Sequence, residues 1–359
     1  MNIVDIIETT LGFLVYYSGI DHLIRYIQRK FGWSPILMYH SINNREASFF
    51  HRGLYRHGMV TEPENFKKQI EYLSDHYTVL PLTTYLQSLK ENQVINNIAT
   101  ITFDDGFKDF ADNALPILKT YECPSTVFVV GNCLLNNSPI WLHELYELTE
   151  ICLDRGIDPI KAILNHNPRI DIPREQDKLY RFLIYTNDAT RQEVLSALRH
   201  AAQGEKNNTC SKYLNKSDVS SLAKQGVFFG AHTMNHLKAS ALSDDELNEE
   251  IHSSIQLTAS ISKQKEIPFA TTFGGPDAWD NRIAQILQRE NAVCCCTTRE
   301  GLNSKRANIY KINRIDVSFT KNLYAFIFRI VGLRAALERI VEKPYYLLPK
   351  AKNSKYGLE

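Results

Sequence analysis

The chain of 359 residues contains no C-x-x-C pair, and its seven cysteines are an odd number. The missing pair argues against a structural zinc site built on thiolates, and the odd count argues against a complete disulfide framework. Cys294, Cys295 and Cys296 fall in an apolar stretch that reads as a buried strand, where neighbours point to opposite faces. They are expected as reduced core thiols, which fits a cytosolic or otherwise reducing compartment. An excess of one charge is also missing, because 41 Lys and Arg balance 40 Asp and Glu. That balance supplies no basic stripe for nucleic acid. Nor is there an apolar run long enough to span a bilayer: Leu11 to Tyr17 is stopped by Asp21, His22 and Arg25. The same run does not read as a signal-peptide core, since Asp5 and Glu8 precede it and no small-residue cleavage site follows. Residues 3–30 are instead expected as one amphipathic helix with Arg25, Arg29 and Lys30 near its end, either packed on the main body or lying on a membrane surface.

What the chain does hold is enough apolar sequence for a large core, at 44% apolar and 23% charged. Apolar and β-branched runs at Ile36 to His40, Thr78 to Leu80, Ile98 to Phe103, Ser125 to Val130, Val227 to Ala231, Pro268 to Phe273, Val293 to Thr298 and Ile309 to Ile315 read as buried strands. Most are separated by segments with helical periodicity, such as Phe66, Ile70 and Leu73, and a capping box of Ser243 and Glu246 opens another helix. Pro116 is expected to kink the helix after Gly106. Strands alternating with helices predict an α/β fold with a mostly parallel sheet, and this number of strands predicts closure into a distorted (β/α) barrel of about seven strands. Residues 132–216 lack a strand pattern and are expected as a helical insertion. Residues 41–60, rich in Asn, Arg and His, are expected as a mobile loop. The expected organisation is an N-terminal helical segment over 1–34, the barrel over 35–318, and an extension over 319–359 with a long helix from Lys321 to Lys343 carrying Arg329, Arg334 and Arg339.

Two short segments carry chemistry. Thr102-Phe103-Asp104-Asp105-Gly106 follows one strand and His232-Thr233-Met234-Asn235-His236 follows another. Reactive groups of such barrels lie where strands end, so both segments are expected on one rim, with His236 brought round if its segment turns helically. Two neutral imidazoles and one carboxylate can hold a divalent cation with a position open, leaving a second carboxylate to take a proton. Either segment alone is usually a turn or a structural motif; their joint placement after strands is what carries the reading.

These residues resemble the polysaccharide deacetylases of the NodB-homology type, carbohydrate esterase family 4, over roughly residues 35–318. The likeness rests on Thr102 to Gly106 and His232 to His236, with support from Ile36 to His40, Phe273-Gly274-Gly275, Thr297 to Asn303 and Arg314-Ile315-Asp316. The resemblance implies Asp104 as general base, Asp105, His232 and His236 as metal ligands, and zinc as the usual metal, with cobalt or nickel able to serve. Phe273, Gly274 and Gly275 become candidate backbone donors to the developing oxyanion, since glycine lets a backbone approach a ligand closely. Trp279, with Asp277 and Asp280, is a candidate for sugar contact through its aromatic face, or else belongs to the cap and first turn of the next helix.

Two departures from the family pattern stand out. The Arg that commonly pairs with the catalytic Asp is absent from Ala270 to Gly274; Arg314 is the candidate replacement, with a structural ion pair to Asp316 or another acid as the alternative. The usual His general acid is not recognisable in Cys294 to Val317, so that role stays unassigned, with His40 a candidate for an active-site role or a core histidine. The expected function is metal-dependent removal of an N-acetyl or N-formyl group from an amino sugar in a polysaccharide or its nucleotide- or polyprenyl-linked precursor. It would act in the cytoplasm, with peripheral contact to the inner face of the membrane through the terminal helices. The second reading is a catalytically weak carbohydrate-binding protein that keeps the fold.

Overall fold

In the computed structural model, residues 3–91, 97–203, 212–275, 278–318 and 320–342 are described. The N-terminal segment forms α1 (Ile3–Tyr17) and α2 (Ile20–Phe31), bent 85° apart. The single helix expected over 3–30 is thus two. Gly19 breaks it by adopting φ 75°, a left-handed conformation that costs glycine little. The chain then enters the core as β1 (Ile36–Tyr39). The expected loop at 41–60 is instead ordered as β2 (Ser41–Ile42), α3 (Phe49–Arg56) and β3 (Val60–Thr61), with β2 and β3 paired in parallel. Phe50 and Leu54 of α3 are completely buried against the later helices, and that burial overrides the polar composition.

Next come α4 (Pro63–His76), β4 (Thr78–Val79), α5 (Leu82–Lys90) and β5 (Ile98–Phe103). A π-helical turn at Phe110–Ala114 leads into α6 (Leu115–Thr120), with Pro116 in its first turn. The irregularity therefore precedes the proline, which sits where its missing N–H is harmless. Then follow β6 (Ser125–Val129) and α7 (Gly131–Asn136). The long polar stretch beyond holds α8 (Trp141–Asp154), α9 (Pro159–His166), α10 (Gln176–Tyr185) and α11 (Asp188–Ala201), and these share an apolar cluster with α3. The barrel resumes with α12 (Lys216–Lys224), β7 (Phe228–Ala231), α13 (Asp244–Ser262), β8 (Phe269–Ala270), α14 (Asn281–Arg289), β9 (Cys295–Glu300) and β10 (Ile312–Asp316). The capping box of Ser243 and Glu246 opens α13. The terminal helix expected from Lys321 is broken at Gly332, φ 83°, into α15 (Leu323–Ile330) and α16 (Leu333–Glu342); Lys343 and the Arg339 side chain lie outside the described residues.

All barrel pairings are parallel. The order is β1-β10-β9-β8-β7-β6-β5, and β5 pairs back to β1, so seven strands close a ring with β4 appended to β5. Closure is in register over the whole of β1, from Ile36 opposite Thr100 to Tyr39 opposite Phe103. Every residue of β1, β5 and β6 is buried, as continuous apolar strands under a helical coat require. The described cysteines are buried free thiols.

The terminal helices attach at the C-terminal end of the barrel strands. Gly12 lets α1 approach α15 so closely that a Cβ there would meet the Tyr324 carbonyl oxygen at 2.0 Å. Buried Glu8 pairs with Arg329 at 2.8 Å and with Arg334, while Arg329 also donates to the Asp316 carbonyl at the end of β10. Beside this cluster, Glu300 accepts from the Asp316 N–H, and burial, only partly offset by Arg329, pushes its carboxyl pKa up to about 8. A group raised above its ordinary 4.5 stabilises the fold below that value and loses that contribution as pH rises through 8. Glu300→Gln is therefore expected to raise Tm by a few degrees at pH 9 and to leave it almost unchanged at pH 5, as read by thermal melts at the two pH values.

Candidate metal centre

Asp104 and Asp105 leave β5 together, and neighbouring strand residues would normally point apart. Asp105 breaks that alternation with φ 70°, followed by Gly106 at φ 68°. Gly106 also packs close to β6, where a Cβ would meet Val129 Cγ1 at 3.0 Å. This turn aims the two carboxylates at different partners on one rim.

His232 follows β7, its N–H bonded to the Val129 carbonyl. The segment to His236 is not helical as expected. Thr233 and His236 have positive φ, of 62° and 54°, and the Thr233 hydroxyl accepts the His236 N–H. Glu250 of α13 accepts the N–H groups of Met234 and Asn235, and Trp141 of α8 donates to the His236 carbonyl. These outside contacts bend the segment until both imidazoles converge. His232 Nε2 lies 3.4 Å and His236 Nε2 3.2 Å from Asp105 Oδ1, and the three residues are buried. His232 Nδ1 lies 2.9 Å from the Ala270 carbonyl, an acceptor only, so Nδ1 carries a proton and Nε2 is the nitrogen that faces Asp105.

Both Asp105 oxygens are buried without a hydrogen-bond partner among the described residues. Orphaned buried carboxylate oxygens facing two imidazole nitrogens fit a divalent cation: one hard oxygen and two borderline nitrogens are the donor set that zinc, cobalt or nickel takes. Burial would raise the Asp105 pKa, but the imidazoles of His232, His236 and His143 outweigh it and hold the carboxyl well below its ordinary range.

Asp104 faces Arg314 instead. The guanidinium is completely buried and grips the carboxylate with both ends, at 2.6 and 2.7 Å, while its Nε donates to the Thr297 carbonyl at 2.9 Å. Of the two partners left open by the sequence, Arg314 pairs with Asp104 and not with Asp316. Burial pushes the Asp104 carboxyl up, and Arg314, followed by His232 and His40, pulls it below its ordinary value. His40, half-buried at the end of β1, bonds Ser318 at 3.1 Å.

Phe273 has φ 59° and its ring lies 4.9 Å from that of His236. Gly274 and Gly275 are exposed beside it, and Lys238 donates to the Gly274 carbonyl. Among the described residues, no contact brings Trp279 to this rim. Its ring packs into the cluster beneath α14, its N–H donates to the Tyr310 carbonyl at 2.8 Å and Lys311 covers one face. Asp280 caps α14, and Asp277 lies outside the described residues. Sequence reasoning missed His143, Tyr213 and Trp141, which reach the site from the inserted region; an isolated His in a helical stretch gives no spacing signal.

A family model described as polysaccharide deacetylase matches residues 91–169 and 180–292, more than half of the chain. The chain belongs to the polysaccharide deacetylase family. That family's reaction is hydrolysis of a carbon–nitrogen bond other than a peptide bond. YxkH of Bacillus subtilis (strain 168) is 25% identical over 118 residues, which are 32% of this chain and 38% of that protein. The poly-beta-1,6-N-acetyl-D-glucosamine N-deacetylase of Staphylococcus aureus is 31% identical over 102 residues, 26% of this chain and 34% of that protein. The chain thus spans little more than a third of the length of these relatives. Among solved structures, the Streptococcus pyogenes deacetylase PplD in complex with acetate superposes with TM-score 0.55 at 20% identity, covering 83% of this chain and 98% of the other. That likeness shows the same closed barrel.

The Arg314–Asp104 pair yields a stability prediction. Removing one partner of a buried ion pair strands the other charge, so Arg314→Leu is expected to cost about 3–5 kcal/mol. Adding Asp104→Leu in the same chain should recover most of that loss, as measured by urea unfolding at neutral pH.

Proposed function

We propose that the protein is a metal-dependent deacetylase that removes the N-acetyl, or N-formyl, group of an amino sugar, with zinc as the metal. The observation that carries this reading is the meeting of Asp105, His232 and His236 around unsatisfied buried oxygens, beside a second carboxylate clamped by arginine. A divalent cation held by that triad would polarise the acyl oxygen and acidify water. Asp104 takes the proton. Arg314 keeps its carboxylate ionised and oriented, which makes Asp104 a weak base suited to an acidified water rather than to bulk water. We assign the reception of the oxyanion to the backbone N–H groups of Phe273, Gly274 and Gly275, since the Phe273 ring lies against His236. We assign the return of a proton to the leaving amine to His40, which follows β1 and bonds Ser318.

The substrate class rests on the family. The Staphylococcus aureus relative is named for a polymer of N-acetyl-D-glucosamine, and we assign this chain an N-acetylated amino sugar in a polysaccharide or in its nucleotide- or polyprenyl-linked precursor. The lipid-linked form is favoured by α1 and α2. Ile3, Leu14, Tyr17, Leu23, Tyr26 and Phe31 are among their side chains exposed to solvent, while Arg29 and Lys30 are exposed at the end of α2. No single described helix is long and apolar enough to cross a membrane. An apolar face with basic residues at its edge suits the surface of an anionic bilayer, and Glu8 ties α1 to the rim that carries the site. We place the protein at the cytoplasmic face of the membrane on this ground.

Two measurements test the reading. Acetate release from N-acetylglucosamine oligomers should require added zinc, cobalt or nickel, stop on chelation, and fall about 100-fold or more in Asp104→Asn. Cation and sugar binding without turnover would favour the weakly catalytic binding protein instead. The protein should also co-sediment with vesicles containing phosphatidylglycerol and less with pure phosphatidylcholine, and Leu14→Asp with Phe13→Asp should abolish this; equal recovery in the supernatant with and without vesicles would remove the membrane assignment.

A further inference from the structure

We propose that His143, brought in by α8 and held by Tyr213, is a positioning residue: it donates from Nε2 to Asp105 Oδ2 and so leaves Oδ1 to the cation. The inference rests on the reading of Asp105, His232 and His236 as a cation site. It concerns a residue outside both sequence motifs and from an element the barrel does not need for closure.

The geometry assigns the proton. Tyr213 is completely buried, and burial pushes its phenol well above the ordinary value, so the group stays a hydroxyl. Among the described residues the hydroxyl has no hydrogen-bond partner besides His143, so its O–H donates to His143 Nδ1 at 2.7 Å. An imidazole that accepts at Nδ1 carries its hydrogen on Nε2. That Nε2 has no hydrogen-bond partner in the described structure, and 3.4 Å away lies Asp105 Oδ2, which also has none. Two buried orphans of opposite character facing each other at the edge of hydrogen-bond range are costly apart and satisfied by a small approach.

The ring plane is fixed as firmly as the proton. Phe107 stacks on His143 with centroids 5.1 Å apart, the Tyr213 ring is nearly parallel to that of His143 at an interplanar angle of 9°, and Phe107 and Tyr213 are joined by an antiparallel β-bridge. Phe107 is two residues beyond Asp105. The motif loop and the inserted helix therefore meet through one stack of rings, and a carboxylate with one oxygen held in this way cannot rotate away from the two imidazoles. Supports of this kind around a ligand typically change metal affinity by about 10–100-fold when removed.

The test uses the full chain, metal-stripped and titrated with Zn2+ against a chelator and with Co2+ by visible absorption. His143→Leu is expected to weaken zinc about 10–100-fold, and Tyr213→Phe should weaken it by a smaller factor in the same direction. His143→Gln restores an N–H donor at this position; it should recover most of the affinity and keep the Co2+ spectrum of the wild type. Near-ultraviolet circular dichroism of each variant confirms that the fold is intact. Wild-type affinity in folded His143→Leu would overturn the proposal while leaving the cation site standing. A Co2+ spectrum altered in His143→Gln would overturn it too, because His143 would then be a ligand itself. Absence of cation binding by the wild-type protein would overturn the site reading and this inference with it.

Discussion

The buried pair of Arg314 and Asp104 is the constraint on which the arrangement of this protein turns. Arg314 stands on β10 and Asp104 at the end of β5, the two neighbours of β1 in the closed ring. The pair spans the strand that closes the barrel. A guanidinium with no exposure carries a desolvation cost of several kcal/mol, which is offset only when its donors are filled in good geometry. Here two donors meet the carboxylate and a third meets the Thr297 carbonyl. Any loosening of the β1–β5 or β1–β10 pairing would unmake those bonds, so the interaction that orients the proposed base also reports on barrel closure.

The second carboxylate obeys the opposite rule. Asp105 is as buried as Asp104, but among the described residues its oxygens face imidazole nitrogens at 3.2–3.4 Å and no guanidinium clamps them. Fold stability alone does not favour such an arrangement, since two unsatisfied oxygens are expensive. Its neighbours are imidazoles held from outside: His232 by the Ala270 carbonyl, His236 through its backbone by Trp141, and His143 by Tyr213. The barrel thus keeps one acid neutralised by a fixed cation and sets the adjacent one among imidazoles, which is the division of labour that hydrolysis at a divalent cation needs.

The peripheral helices are tied into the same rim. Glu8 of α1, Arg329 of α15 and the Asp316 carbonyl form one chain of contacts ending at β10, two residues beyond Arg314. The α8–α11 region shares its apolar cluster with α3, so the segment after β1 is ordered by the insertion and not by the barrel.

Much of this was legible along the chain. Continuous apolar runs bounded by turn residues located the strands, because a parallel barrel buries both faces and leaves no polar alternation to confuse the pattern. The motif Asp104-Asp105-Gly106 and the pair His232 and His236 were legible because strand ends put chemistry at predictable places. Other features depended on contacts between distant residues. The bends at Gly19 and Gly332 split apolar patterns that read as single helices, and α3 formed only because Phe50 and Leu54 found the insertion to pack against. The partner of Arg314 was undecided between Asp104 and Asp316, since the choice depends on strand register. His143 and Tyr213 carried no signal at all. A sequence determines which groups are available and which segments must be buried; which imidazole faces which carboxylate is decided by ring closure and helix docking, because hydrogen bonds and ion pairs depend on ångström-scale distances that only the packed chain sets.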